Sequence, residues 1–483
     1  MGISLNPSTI LSGQGIDVSS LVQQIISEQS GQLSVWQGEQ TSFATQDGLL
    51  EGINNNLTTL QTAVAALADP TGALTAQAAT SSQPGIVTAT AQSNAISGTH
   101  EIVVTSLATA GTLYTDPIAA GADASFLAAG QTTGDIQLQV GGSGGTIDDI
   151  PITQGSNDTI NTLADYINSQ SAANNWGVTA SVVSDASGSR LALFSQSTGA
   201  SGALAIANNS NTTLNFDTPV GGANAALTID GVPFSSSSNT VTGAIQGVTL
   251  SLVSQSPDNP VELTVGPDVG QITNAVNNFI SAYNNVVSTI NTQYVVDPTG
   301  ATPAPPLEAD ISLRSLQSSI LTDAAYAIGG NSGLVNLASL GINMNNDGTL
   351  TLGLTPGGQT FAQVLAANPA AVQNFFQNTA ATGFANNFNT DLTNLTDPTQ
   401  GPLYVDLTQN NAEQTDLTTT INNFETQLTA EQTQLTETYD AVNASLQSYP
   451  LLLQEITETL GSLSTSDTTG TSSATNPTLT SGL

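Results

Sequence analysis

The sequence predicts an α+β multidomain fold in which long terminal helices pack as a coiled-coil leg, with β-rich head domains inserted between them. Three observations predict it. Near one end, Ile421, Leu428, Leu435, Val442, Tyr449, Ile456 and Leu463 recur every seven positions, the pattern of a helix that buries one narrow stripe. Near the other end, Val22, Trp36, Phe43, Leu50, Leu57 and Val64 keep the same spacing, with a polar Gln29 in one slot. Between the two lines the apolar period drops to the alternation of strands.

At 483 residues the chain has room for three or four domains. The first sixteen residues, with Pro7, Gly13 and Gly15, read as a flexible lead. Leg helices are expected over 17–75, capped by Asp17 or Ser19 and ended by Asp69-Pro70. Gly31, Gly38, Gly48 and Gly52 each weaken a helix by about 1 kcal/mol relative to Ala, so a jointed helix is predicted.

A β-rich head follows over 76–267, divided into an inner module of about 76–110 and 220–267 and an outer one of about 111–219. Its strands are the Val/Ile/Thr-rich runs at 86–91, 102–107, 136–140, 178–183, 191–194, 227–230, 248–253 and 261–265. One helix, 158–170, interrupts them, with Ser156 or Asn157 as its cap. Gly177-Val-Thr-Ala-Ser-Val-Val and Gly247-Val-Thr-Leu-Ser-Leu-Val resemble each other, which hints at two related β modules.

A further leg domain is expected over 268–410. It begins with a helix over 268–294 that joins the terminal helices, followed by a Pro-rich linker over 295–307. Helix is expected over 308–328, a hairpin turning at Asn346-Asp347-Gly348, and short helices over 359–378 broken at Pro369. The C-terminal coiled coil spans 411–464 with a joint at Pro450, where the helix loses a donor, and 465–483 form a disordered tail. The two heptad lines satisfy each other most simply by packing together.

Only Arg190 and Arg314 are basic, and 37 acidic residues leave a formal charge of -35. Nucleic acid and anionic membrane surfaces both call for clustered Lys and Arg, so neither is an expected partner. There is no cysteine, hence neither disulfide nor Cys-based metal site. The N-terminus lacks the basic region and apolar core of a cleaved signal peptide, and no window is apolar enough to span a bilayer. Export, if it occurs, needs a route that tolerates an uncleaved N-terminus. In 412–463 no cation accompanies the eight carboxylates, so interhelical charge pairs cannot set register there and burial is expected to do so alone.

Several stretches resemble one family in order. Ser12-Gly-Gln-Gly-Ile-Asp17-Val-Ser-Ser-Leu21-Val is similar to the opening of the flagellar filament cap proteins, the hook-associated protein 2 family. Ala79 to Ala91 and Gly98 to Ala108 resemble the start of its β head. Asp158 to Gly199 resembles a module shared by flagellins and hook-associated proteins. Leu227-Thr-Ile-Asp-Gly-Val, Ser238-Asn239-Thr-Val, Gly247-Val-Thr-Leu, Phe279-Ile-Ser-Ala-Tyr-Asn284 and Leu340-Gly-Ile through Asp347-Gly-Thr-Leu are similar to its second half.

The resemblance implies a homo-oligomeric ring of four to six copies at the distal filament tip, extracellular and exported uncleaved through the flagellar type III apparatus. It implies legs that engage the filament end and a head plate that blocks flagellin escape and aids flagellin folding and insertion. Flagellin, hook-filament junction proteins and an export chaperone are the implied partners. The thirteen seam residues named above are the expected packing and oligomerisation positions. The alternative is a surface adhesin whose β head binds glycans or another surface.

No enzyme activity, cofactor or metal is expected. His100 is the single histidine and lies in a predicted strand without a motif around it. Asp148-Asp149 read as a polar loop. Asn343-x-Asn345-x-Asp347-Gly348 mimics a calcium loop, but Leu354 stands where the bidentate Glu belongs, so a hairpin turn is expected. Trp36 and Trp176 have the rings to stack on sugars, but Trp36 sits on the heptad line and reads as core. Arg190 is expected to pair with Asp185 at a turn, and Arg314 lies on a predicted helix.

Overall fold

The computed structural model describes residues 17–465 apart from Pro219, Val296 and Thr302. The expected lead over 1–16 and the tail after 465 lie outside the described residues. The chain divides into two compact units, one drawn from Met1–Thr59, Asn285–Ile320 and Asp391–Leu483, the other from Leu60–Asn284 and Leu321–Thr390.

The chain opens on helix α1 (Val18–Gln29), whose cap Asp17 accepts the Ser20 N–H at 3.1 Å. Ser30 interrupts it and α2 (Gly31–Ala68) continues. Of the four glycines expected to joint this helix, only Gly31 lies at a break. Gly38, Gly48 and Gly52 stay helical, because Leu50, Ile53 and Leu57 on the same helix are fully buried and that burial outweighs a propensity loss of about 1 kcal/mol per glycine.

The head contains β1 (Gln77–Ser81), β2 (Val87–Ala91), β3 (Gly98–Ser106), β4 (Ala110–Tyr114), β5 (Thr133–Val140) and β6 (Thr146–Thr153), then helix α3 (Ile160–Asn174). It continues with β7 (Val178–Asp185), β8 (Gly188–Thr198), β9 (Leu204–Ser210), β10 (Ala225–Ile229), β11 (Val232–Ser236), β12 (Thr240–Ile245), β13 (Val248–Leu252) and β14 (Val261–Pro267). Every expected strand is present. Those not expected, β1, β4, β6, β9, β11 and β12, all lie at sheet edges; β1 carries no apolar alternation, and β6 (Ile150, Ile152) and β9 (Leu204, Ile206) alternate over only two core positions each.

Two cores organise the head. One lies among sheets β1-β14-β3-β10-β11 and β12-β13-β2, filled by Val87, Ile102, Val104, Leu227, Leu250 and Leu263. The other lies among sheets β4-β8-β7 and β6-β5-β9 and α3, filled by Phe126, Leu138, Ile160, Leu163, Ile167 and Leu193. The two similar segments are β7 and β13, one in each core. Each is preceded by a glycine in the left-handed region, Gly177 at φ 73° and Gly247 at φ 72°, which a residue with a Cβ adopts only at a steric penalty.

The cap of α3 is Thr159, in a reciprocal box with Thr162, rather than Ser156 or Asn157. Asn157 is otherwise engaged: its Oδ1 accepts the Thr153 N–H at 2.8 Å and its Nδ2 donates to the Pro151 carbonyl at 2.9 Å. Asp148 and Asp149 are not in a loop. They lie in β6, opposite Leu138 and Gln137, because 146–153 pairs with β5 along its whole length.

After the head come α4 (Val269–Thr292), α5 (Ile311–Ala324), the hairpin β15 (Ile342–Met344) and β16 (Leu350–Leu352), α6 (Phe361–Ala367), α7 (Pro369–Phe376), α8 (Phe384–Leu395) and α9 (Pro402–Thr465). Phe279 and Tyr283 of α4 meet Phe388 at 6.2 and 6.5 Å between ring centroids, and Phe384 stacks on Phe375 at 5.4 Å, within one unit. The last residues of α4 belong to the leg unit. There Val286, Val287 and Ile290 are buried, and Thr289 accepts a hydrogen bond from Asn56 at 3.1 Å. The helix expected from 411 begins nine residues earlier, at Pro402, a favoured first helical residue because it has no N–H to leave unsatisfied. It runs through Pro450 without a break.

Candidate partner-binding seam of the terminal helices

Within the leg unit α1 and α2 pack on α9. Trp36 meets Phe424 edge to face at 5.2 Å between centroids. Gln29 Nε2 donates to Glu431 Oε1 at 2.8 Å, Gln40 Nε2 to Thr418 Oγ1 at 2.8 Å, and Gln414 Nε2 to the Asp47 carboxylate. Numbers rise on one side as they fall on the other, so α2 and α9 are antiparallel. This corrects the expectation that burial alone sets register. Glutamine is a neutral donor long enough to reach across the seam, and it supplies to the carboxylates the hydrogen bonds that lysine or arginine supplies elsewhere.

The predicted seam positions are not equally covered. Val22 is buried, with Val18 and Leu21 beside it, and so are Leu50, Leu57, Ile421 and Leu428. Trp36, Phe43 and Leu435 are half-buried, and Val64 is buried within the head-bearing unit. Beyond them the same line emerges into solvent: Val442 is 43% exposed, Tyr449 63% and Ile456 53%, flanked by exposed Leu451, Leu452, Leu453 and Leu460. Leu463 lies in α9, but its side chain falls outside the described set.

Trp36, Phe43 and Leu417 line a groove of about 490 Å³ beside this seam, rimmed by Glu39, Glu413 and Asp416. A periodic apolar stripe covered along one part of a helix and bare along another can bind a helix that presents a matching stripe.

Other singled-out residues have structural partners. His100 Nδ1 meets Asp230 Oδ2 at 2.8 Å. That hydrogen bond, then one from the Glu101 N–H, holds the Asp230 carboxyl below the ordinary aspartate range. Arg190 does not pair with Asp185. In β8 it stands opposite Val183, and its guanidinium donates to the Thr115 carbonyl at 3.4 Å. Arg314 donates to the Glu308 carbonyl at 2.9 Å and lies 5.8 Å from the centre of the Tyr294 ring. Asp347 accepts from Thr349 within the β15–β16 turn. Among the described residues no group of three or more His, Asp and Glu could hold a metal ion, and no helix is long and apolar enough to cross a membrane.

Residues 14–111 match the N-terminus of flagellar hook-associated protein 2, and residues 222–449 match its C-terminus. The chain belongs to the flagellar hook-associated protein 2 family. Between those matches, residues 128–197 match the flagellin hook IN motif.

The B-type flagellar hook-associated protein 2 of Pseudomonas aeruginosa is 31% identical over 285 residues, 54% of this chain and 58% of that protein. The flagellar hook-associated protein 2 of Escherichia coli K12 is 28% identical over 364 residues, 70% of this chain and 74% of that protein. The fold is similar to the crystal structure of the D1-D2-D3 domains of the flagellar cap protein FliD from Escherichia coli. The TM-score is 0.54 at 24% identity, covering 75% of this chain and 99% of that one.

Two segments that carry the resemblance to the hook-associated protein 2 family have a structural role that sequence reasoning missed. Asn284 Nδ2 donates to the Leu350 carbonyl at 2.8 Å and its Oδ1 accepts the Leu350 N–H at 2.6 Å. Asn239 does the same to Ala108, at 2.9 and 2.7 Å. The available signal was an Asn on the apolar face of a helix; Asn239, in the 237–239 connection between β11 and β12, gave none, because an Asn there reads as an ordinary turn residue.

Proposed function

We propose that this member of the hook-associated protein 2 family caps the distal end of a flagellar filament as a homo-oligomeric ring of four to six copies. Its legs engage the filament end while the head hinders the escape of exported flagellin and assists flagellin folding and insertion. The thirteen seam residues act as leg-packing and oligomerisation positions. Export proceeds uncleaved through the flagellar type III apparatus with an export chaperone, and hook-filament junction proteins are the first surface the legs meet.

The observation that carries this reading is the change along one helix, from buried Ile421 and Leu428 to exposed Tyr449 and Ile456. A stripe left bare in the monomer supports a partner of helical shape. Without charge pairs in the seam, such contacts are of modest strength, which suits repeated release as subunits are added.

The test is native mass measurement and negative-stain microscopy of the full chain, followed by filament elongation in cells carrying Tyr449→Ser and Ile456→Ser together. Rings, and short or absent filaments in the variant, support the reading. A monodisperse monomer at high concentration with normal filament growth overturns it.

A further inference from the structure

The leg carries a second recognition surface whose chemistry differs from that of the bare apolar stripe. Trp36, Phe43 and Leu417 line the groove beside the seam, while the exposed carboxylates Glu39, Glu413 and Asp416 rim it. None of the three carboxylates makes an ion pair among the described residues. An indole bordered by carboxylates is the seat that a guanidinium or ammonium group prefers, through cation–π attraction and charge-assisted hydrogen bonds. The groove is set by the helix pairing itself: Trp36 is fixed by Phe424, Gln40 bonds Thr418, and Gln46 donates to the Pro306 carbonyl at 3.2 Å.

The chain cannot fill this groove with its own cations. Arg190 belongs to the head-bearing unit and is spent on the Thr115 carbonyl, and Arg314 is held by the Glu308 carbonyl and the Tyr294 ring. With no other Lys or Arg in 483 residues, a second copy is a poor occupant.

We infer that the Trp36 groove docks an amphipathic helix of a different protein, one that places arginine or lysine beside its apolar stripe at helical spacing. The inference rests on the leg being the part that engages partners, and it adds a charge requirement. A second copy would bring no free cation to the groove, whereas a basic partner would.

The test uses the full chain with Trp176→Phe, so that Trp36 alone reports by fluorescence. The probe is a 20-residue Leu/Ala helical peptide with Arg three and four residues from its Leu stripe, compared with the same peptide bearing Gln for Arg. The Arg peptide is expected to bind and shift Trp36 emission, and Glu39→Gln, Glu413→Gln and Asp416→Asn together to weaken it by about tenfold. Neutralising Glu437, Glu455 and Glu458, exposed farther along α9, controls for general attraction to a chain of charge -35 and is expected to leave affinity within about twofold.

Equal binding of the Gln peptide overturns the inference, as does an equal loss in the two triple variants. The readout does not depend on capping. A chain that fails to cap filaments yet keeps the selectivity supports the groove and sinks only the functional reading.

Discussion

Asn168, Asn239 and Asn284 each present one carboxamide to both backbone groups of a single partner residue: Ala180, Ala108 and Leu350. An amide is the one side-chain group that offers a donor and an acceptor in the geometry of a peptide, without charge to desolvate. Replacing Asn239 by Ala leaves the Ala108 groups without this partner and is expected to lower stability by about 1–3 kcal/mol in urea unfolding. Asn239→Asp tests the donor separately. Its carboxylate faces the Ala108 carbonyl, so the loss of stability relative to the unmodified protein is expected to be larger at pH 7 than at pH 4, where a protonated carboxyl can donate. Gly202 makes a different demand: a Cβ there would lie 1.9 Å from the Ser197 carbonyl oxygen. Gly202→Ala must shift backbone, and a lowered melting temperature of the head is the expected outcome.

Helix α9 is rich in threonine, which does not favour helices. Thr418, Thr419, Thr420, Thr426, Thr429, Thr433, Thr436 and Thr438 each donate to the carbonyl four residues back, an arrangement that is neutral to slightly unfavourable for an isolated helix. Its stability therefore comes from packing, which is present at Ile421 and Leu428 and absent around Tyr449. Trp36→Ala removes the Phe424 contact from the packed part and is expected to cost about 2 kcal/mol, less than a fully buried aromatic because Trp36 is only half-buried. In the bare part, Pro450 removes the N–H that would bond the Leu446 carbonyl. Pro450→Ala is expected to slow amide hydrogen exchange over 442–460, and unchanged exchange there would show that Pro450 is not a weak point.

Over the whole molecule the charge of -35 places stability under acid–base control, and two groups of aspartates set opposite limits. Burial, and secondarily the Asp149 charge, raises Asp148 above the ordinary 3.8. Burial also raises Asp406, with Asp310 adding to it against a Ser312 hydrogen bond. A raised carboxyl holds its proton longer in the folded state, so its contribution is fully present below the unfolded value and is lost as pH rises through the folded one. Asp17, Asp69, Asp230, Asp347 and Asp397 are lowered, chiefly by hydrogen bonds from Ser20, Thr71, His100, Thr349 and Thr399. Their contribution is full above 3.8 and is lost as pH falls through their folded values. The two windows meet near the ordinary value, and mutual repulsion adds to the loss toward neutral pH. Melting temperature is therefore expected to be highest near pH 4 and to fall toward both pH 7 and pH 2.5. Asp148→Asn with Asp406→Asn is expected to raise the pH 7 value toward that maximum. A melting temperature that climbs steadily from pH 4 to 7 would refute the assignment.

The fold class was legible in the chain because its two periodicities are physical demands. A seven-residue apolar line can be satisfied only by a helix with a partner, and β-branched alternation between Gly and Pro only by strands. The resemblance to the hook-associated protein 2 family was legible in the number and order of its motif segments; the structure adds that two of them hold Asn239 and Asn284, which tie distant parts of the chain, and that Gly177 and Gly247 enter strands at positive φ. Three-dimensional packing decided the rest. Strands such as β1 and β9, the Thr159 cap, the glutamine bonds between α2 and α9 and the occupied state of Arg190 all depend on groups far apart in sequence, and no local pattern specifies which donor finds which acceptor. Heptad spacing and composition are enough to specify that the terminal helices carry matching apolar lines and almost no cations. Where that line is covered and where it is bare is set in three dimensions, because coverage depends on how far the partner helices reach along α9.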